Sequence, residues 1–382
     1  MKVLIIQNIP SPYRIPLFNL LDRELAARGH ELLVVFGSKG YAERFFEPDL
    51  EEIRFRYRIL QSKQFRSGGK APVLNYRGVC KEMRRFRPDR IVVIGYSIAT
   101  LKTWIYTRFH SASYLIWGGT IPSSKYTRIP LRILLRKFLL KGAAGALAYG
   151  TLARQYFLDM GVPGDNVHVA INSVDTAFFF EETEKIRRDA KLESDGKKHL
   201  TCISYLTQRK NIMKVLQIVR LLSGRRDDFV VDIIGDGPEK ENLESFTRDN
   251  QLIPFVNFHG FRQKADLPRI LASSHCFLFQ TDYDIWGLVL NEAMAAGVAC
   301  LSSVNAGATY DLVKDGETGF AVNFDDGAQV AAKIEFLLDH PEERKRIADN
   351  ARQFILNHAS LSNSVVGFID AIDATHEKYK KR

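Results

Sequence analysis

The sequence predicts an α/β protein of two consecutive doubly wound domains, and three observations lead there. Short apolar runs alternate with helical stretches in both halves, the pattern of β-α-β units whose mostly parallel sheets are covered on both faces. At 382 residues the chain is longer than one hydrophobic core usually organises, which favours two domains. The alternation lapses once, over Phe178–Leu200, where Glu181, Glu182, Lys185, Arg187, Arg188, Lys197 and Lys198 surround a Ser-Asp-Gly and leave little apolar pattern. The interdomain connection is placed there, giving a first domain over 1–175, a linker over 176–200, a second domain over 201–357 and a tail over 358–382, expected as a helix crossing back to the first domain. Two such domains in series imply a cleft between the carboxyl ends of their sheets, the edge at which open α/β sheets bind ligands.

In the first domain, apolar runs place strands at Val3–Gln7, Glu31–Phe36, Arg90–Ile94, Ser113–Trp117, Gly145–Tyr149 and Val167–Ile171, with helical patterns between them such as Pro16–Arg28 and Leu131–Lys141. In the second, strands are expected at His199–Leu206, Phe229–Ile234, Phe255–Phe258, His275–Gln280, Ala299–Ser302 and Gly319–Val322. Helices fill the intervals at Asn211–Ser223, Glu239–Asn250, Asp266–Ser273, Gly287–Ala296, Gln329–Asp339 and Glu342–Asn357.

A composition of 46% hydrophobic and 26% charged residues excludes wholesale disorder. The opening Met1–Gln7 reads as a strand and not as a signal peptide, and no run approaches the roughly 18 apolar residues that span a bilayer. Cys80, Cys202, Cys276 and Cys300 are scattered without a C-x-x-C pair, which suits buried thiols in a reducing cytosol. A cytoplasmic protein, peripheral on the inner face of the membrane, is the expectation. The net charge of +10 is uneven: residues 1–175 hold 27 Lys and Arg against 13 Asp and Glu, and the remainder 27 against 31. A basic first half points to an anionic partner.

The most informative stretch runs from His275 to Gly297. An apolar strand ends in a polar loop holding Asp284, then Gly287 opens a helix with Glu292 about one and a half turns in. The amides of Gly287, Leu288 and Val289 would lie among the unpaired donors of the first turn, a setting suited to phosphate. Two carboxylates eight residues apart could hold two hydroxyl-bearing parts of one ligand with its phosphates between them. On spacing alone the alternative is as good: Asp284 caps the helix and Glu292 is solvated surface.

This stretch resembles the Glu-x7-Glu element of retaining glycosyltransferases of the GT-B fold, most closely family 4, with Asp284 in place of the first glutamate. Ile234-Gly235-Asp236-Gly237-Pro238 resembles the family's strand-end G-D-G-P, Val256–Gly260 its V-x-F-x-G, and Asp315–Gly319 its D-G-x-T-G. Tyr149-Gly150 and Ala170–Asp175 resemble its N-G-V-D segment. The likeness is strong over 145–355 and topological before that. It implies two Rossmann-like domains facing each other across a cleft. It also implies transfer of a sugar from a nucleotide-sugar donor, a UDP- or GDP-sugar, to a glycan or lipid-linked glycan acceptor, without metal or other cofactor.

By the same resemblance, Glu292 would accept hydrogen bonds from the donor's ribose diol and Asp284 would contact the transferred sugar. Lys210 matches the lysine that meets the diphosphate, while Tyr205 stands where the family has arginine; neighbouring Arg209 is a substitute from this sequence alone. Base recognition leans on loops near Gly260-Phe261-Arg262. Thr281-Asp282-Tyr283-Asp284 also contains an Asp-x-Asp of the kind that holds a metal in another glycosyltransferase fold, but its second Asp is already used by the Glu-x7-Glu match. No other cluster has metal-ligand spacing.

Acceptor-side candidates lie at two strand ends, Asn8–Arg14 with Ser11, Tyr13 and Arg14, and Trp117-Gly118-Gly119-Thr120. Either could be a simple turn. Along Arg128–Lys141, cations recur at four- or five-residue spacing on one helix side with Leu, Ile and Phe opposite, which suits an anionic membrane surface or a sheet-packing helix with snorkelling arginines. Lys81–Arg90 widens the basic surface. These stretches lack aromatic platforms or a reading helix, so no specific nucleic-acid binding is expected. The second function weighed is a catalytically weak or inactive GT-B-like scaffold or partner subunit, suggested by Tyr205 and Asp284.

Overall fold

The computed structural model describes residues 1–40, 49–67, 70–122, 130–189 and 196–380, with no account of the side chains of 66, 67, 70–72 and 375–380. The chain divides into two compact units, Met1–Val174 with Leu361–Arg382, and Asp175–Ser360.

In the first unit, β1 (Lys2–Gln7), β2 (Glu31–Phe36), β3 (Tyr57–Ile59), β6 (Arg90–Ile94), β7 (Ser113–Gly118), β8 (Gly145–Ala148) and β9 (Val167–Val169) form a sheet in the order β3-β2-β1-β6-β7-β8-β9. All its pairings are parallel. β4 (Gln64–Ser67) and β5 (Lys70–Leu74) make a separate antiparallel hairpin. Val3 to Ile6 are fully buried, as a central parallel strand covered on both faces requires. The helices are α1 (Ile15–Ala27), α2 (Val79–Phe86), α3 (Ile98–Phe109), α4 (Pro130–Gly142) and α5 (Thr151–Asp159).

The second unit opens with α6 (Thr176–Asp189), which lies where the sequence places the linker. Its Phe179 and Thr183 are buried, and Arg187 reaches the carbonyls of Ala272 and Gly297, so this charged helix is a packed part of the unit. Residues 190–195 lie outside the described residues. Strands β10 (Lys198–Ile203), β11 (Phe229–Ile234), β12 (Val256–Gly260), β13 (Cys276–Phe279), β14 (Ala299–Ser303) and β15 (Phe320–Val322) form a parallel sheet in the order β12-β11-β10-β13-β14-β15. Around it lie α7 (Met213–Ser223), α8 (Lys240–Asp249), α9 (Leu267–Ser273), α10 (Leu288–Ala295), α11 (Gly307–Leu312), α12 (Gly327–Asp339) and α13 (Pro341–His358). Leu200, Val231, Leu278 and Leu301 of the sheet pack with Val215 and Val219 of α7 and Val330 and Ile334 of α12 in one core.

The last helix, α14 (Leu361–Lys380), belongs to the first unit. A Cβ on Gly367 would stand 2.1 Å from the Val169 carbonyl, so glycine lets this helix close on β9. Phe368 meets the Trp117 ring at 4.7 Å.

The sequence reading has no counterpart for β3, β4 and β5, which are only 3, 4 and 5 residues long. It also places the cations of α4 on a single side. Instead Arg136 turns inward, hydrogen-bonding the Tyr156 hydroxyl at 3.0 Å and lying over the Tyr96 ring, while Leu131, Leu134, Leu135 and Phe138 are exposed. Arg128 lies outside the described residues.

Candidate active site

In the second unit the strand order reverses between β10 and β13, so the loops that follow these adjacent strands diverge and leave room for a ligand. The loop after β10 carries Arg209 and Lys210, and the loop after β13 carries Asp284. They meet: Lys210 Nζ lies 2.5 Å from Asp284 Oδ2, with both side chains largely buried, and Arg209 Nη1 lies 3.7 Å from the same oxygen. Arg209 also donates to the Tyr283 carbonyl, and the amide of Asp282 donates to the Arg209 carbonyl, tying one loop to the other. Burial alone would raise the Asp284 carboxyl, but Lys210 and then Arg209 hold it below the ordinary aspartate range. Asp282, the other carboxylate of the Asp-x-Asp, accepts from Asn211 Nδ2 and Lys214 Nζ, each at 2.9 Å, and so serves the loop packing.

Two glycines of the G-D-G-P segment shape this edge. Gly235 and Gly237 sit at φ 140° and 157°, and a Cβ on them would stand 1.8 Å from the Ser204 carbonyl and 2.3 Å from that of Leu206. Their role is therefore to let the end of β11 press against the loop that leads to Lys210. Tyr205 occupies that same loop.

Gly287 sits at φ 107° as the cap of α10, and a Cβ there would strike the Phe279 ring at 2.0 Å. The amides of Leu288 and Val289 begin the helix, where no preceding turn supplies their acceptors. Trp286 donates from Nε1 to the buried Asn291 at 3.0 Å, fastening the Asp284 loop onto α10. One turn on, Glu292 has its Oε2 enclosed without a hydrogen-bond partner among the described residues. Burial pushes its carboxyl up to about 8, only partly opposed by Lys264. A solvated surface glutamate would show neither property. Lys264, the cation acting on Glu292, was not singled out from the sequence, since no local pattern ties the loop before α9 to α10. Phe261, just past the edge strand β12, is 37% exposed. Asp315–Gly319 forms a turn leading into β15, with Gly316 N donating to Gly319 O, and holds no position at this site.

In the first unit the order reverses between β1 and β6. Ser11 accepts from the Arg14 amide at 2.8 Å in the loop after β1, which presents Arg14 at the start of α1. Arg14 is 4% exposed and lies among three rings, 4.2 Å from Trp117, 5.2 Å from Tyr13 and 5.3 Å from Tyr149. Gly119 provides the space for Tyr149, whose ring would lie 2.3 Å from a Cβ there; Gly118 is not so constrained. The structure thus joins the two acceptor-side loops through Trp117 and Arg14. The Nη1 of Arg14 has no hydrogen-bond partner among the described residues.

Residues 183–354, nearly all of the second unit, match the family described as Glycosyl transferases group 1. N-acetyl-alpha-D-glucosaminyl L-malate synthase of Bacillus anthracis is 25% identical over 194 residues, covering 50% of this chain and 50% of that protein. Alpha-D-kanosaminyltransferase of Streptomyces kanamyceticus is 24% identical over 260 residues, 67% of this chain and 66% of that one. The matches thus span from half to just under two thirds of the length of these relatives. Among solved structures, Anabaena HepE in complex with UDP superposes with a TM-score of 0.77 at 17% identity, over 98% of this chain and 100% of that one. HepE has also been crystallised with UDP-glucose. The fold is GT-B, two α/β units with parallel sheets.

Proposed function

From the match of residues 183–354 to the glycosyl transferases group 1 family, we propose that the protein moves a sugar from a nucleotide-sugar donor to a glycan or lipid-linked glycan acceptor, with retention at the anomeric carbon and without metal. The observation that carries this reading is the convergence at the β10/β13 switch point of Lys210, Arg209, Asp284 and the start of α10.

Breaking the bond between sugar and diphosphate leaves negative charge on the departing oxygens, and fixed cations and helix-start amides stabilise that charge. Lys210 and Arg209 supply the cations, and Leu288 and Val289 the amides. Lys210 is paired with Asp284, so a donor diphosphate would compete with that carboxylate for the cation. Asp284 then turns to hydroxyls of the transferred sugar, and Glu292, ionised, accepts from the ribose diol. Arg209, 3.7 Å from Asp284, supplies the second cation although Tyr205 stands in the family arginine's place; this favours a working enzyme over an inactive scaffold. The engagement of Asp282 with Asn211 and Lys214 supports the metal-independent reading.

UDP-sugars are the favoured donors, on the strength of the HepE complexes. Arg14, buried among rings with its Nη1 unbonded among the described residues, is assigned to an anionic group of the acceptor. Calorimetry with UDP-, GDP-, ADP- and dTDP-sugars, followed by donor hydrolysis assays, tests the proposal. Binding and turnover of at least one donor are expected; no binding to any of the four, or unchanged rates in both Lys210→Ala and Glu292→Gln, would overturn it.

A further inference from the structure

The surface of the first unit holds a second feature that sugar transfer does not use. On α4, Leu131, Leu134, Leu135 and Phe138 are 75%, 66%, 49% and 46% exposed, at the spacing of one helix face. Neighbouring α3 adds Ile105 and Phe109, 45% and 80% exposed. The two helices are joined by Trp104 and Phe138, whose rings stand 4.7 Å apart, so the two apolar stripes lie side by side. Single exposed leucines are ordinary on any protein surface, whereas a continuous apolar face of this kind marks an interaction site.

The charge around the face identifies the occupant. Between Asp89 and Asp159 the sequence has no acidic residue and ten Lys or Arg. A cavity of about 1080 Å³ opens beside the carboxyl ends of α3 and α4, lined by Arg108, Lys137 and Lys141 and, among the described residues, by no carboxylate. An apolar face bordered by cations suits the boundary between acyl chains and anionic headgroups. A second copy of the chain fits poorly, because pairing the face with itself would bring like charges together. Arg136 is already engaged with Tyr156 and Tyr96 and is not among the cations offered to a partner.

We propose that the α3–α4 face of the first unit seats on an anionic lipid bilayer, with Leu134 and Phe138 entering the acyl boundary and Arg108, Lys137 and Lys141 meeting lipid phosphates. No helix among the described residues is long and apolar enough to cross a membrane, so the association is interfacial. The proposal does not depend on which sugar is moved.

The test is co-sedimentation of the full chain with phosphatidylcholine vesicles, with and without phosphatidylglycerol, at low and high salt. Binding to the anionic vesicles, weakened by salt, is expected. Leu134→Glu/Phe138→Glu should lower the partition coefficient about 10-fold or more. Lys137→Glu/Lys141→Glu should lower it about 10-fold and remove most of the salt dependence. Lys345→Glu, an exposed cation of the second unit, should change nothing. Circular dichroism melts verify folding; if the apolar double variant unfolds, Leu131→Ser, at the most exposed of the four apolar positions of that face, replaces it. The proposal is overturned if the wild type ignores anionic vesicles, or if folded variants bind as it does. It is equally overturned if sedimentation velocity without lipid finds a dimer that the same substitutions dissolve.

Discussion

At the carboxyl edge of each sheet the described residues include a largely buried cation, Lys210 in the second unit and Arg14 in the first, and the two are compensated in different ways. Lys210 has a carboxylate at 2.5 Å. Arg14 has none among the described residues; it rests on the faces of Trp117, Tyr13 and Tyr149, whose ring quadrupoles attract a cation without cancelling its charge. The difference separates two ways of keeping a binding charge in place. An ion pair stores the cation in a neutral state, so under the proposed function an incoming diphosphate has to displace Asp284. An aromatic cage leaves the charge unspent, so an anionic group can join it without displacing a carboxylate.

Removing the ion-paired cation should give the largest effect. Lys210→Ala is expected to lower turnover about 100- to 1000-fold, the loss typical of a group that stabilises a leaving anion. Its melting temperature should also fall, because Asp284 is left buried and uncompensated. Lys210→Ala/Asp284→Asn should recover the melting temperature but not the turnover; recovery of both would make the pair purely structural.

On the caged side, Arg14→Leu should lower kcat/KM for acceptor about 10-fold while donor hydrolysis without acceptor stays within about 2-fold, consistent with loss of one charge-assisted contact. Arg14→Lys, which keeps the cation, should restore part of the loss. Equal damage to both reactions would break the assignment of separate roles.

The smallest effect concerns Glu292, whose charged form burial disfavours. Its carboxyl titrates near 8 in the folded protein, above its unfolded value, so the folded state holds the extra proton between those two values. Its contribution to stability is therefore complete below the unfolded value and is lost as pH rises through about 8. Glu292→Gln should flatten the fall in melting temperature across that window. Nucleotide affinity of the wild type should rise with pH over the same range, as the ionised acceptor becomes available, and that of Glu292→Gln should not.

Much of this was legible from the sequence because it is written in local patterns. The strands Glu31–Phe36, Arg90–Ile94 and Phe229–Ile234 coincide with apolar runs of the right length. Gly235, Gly237 and Gly287 stand where only glycine fits the backbone and its neighbours. The ion pair was not legible as a contact: Lys210 and Asp284 are 74 residues apart, and only the strand order makes their loops adjacent. The orientation of α4 was hidden for a related reason. Periodicity sorts residues into faces without saying which face turns inward, and Arg136 turns inward because Tyr156 and Tyr96 receive it. The charged run at 176–189 suggested a linker, but Glu184 takes both Arg187 and Arg352, so its charges stitch the second unit together.

The return of α14 to the first unit bears on the order in which the protein is built. Phe368 buttresses Trp117, and Trp117 is the ring nearest to Arg14, so the aromatic cage is completed only when a segment translated after the entire second unit has docked. On the ribosome, the second unit is contiguous and can fold as it emerges, whereas the first must wait with one side open. The second unit can therefore be native before the first is closed, and a nascent chain stalled before Leu361 would hold a finished second unit and an incomplete cage around Arg14.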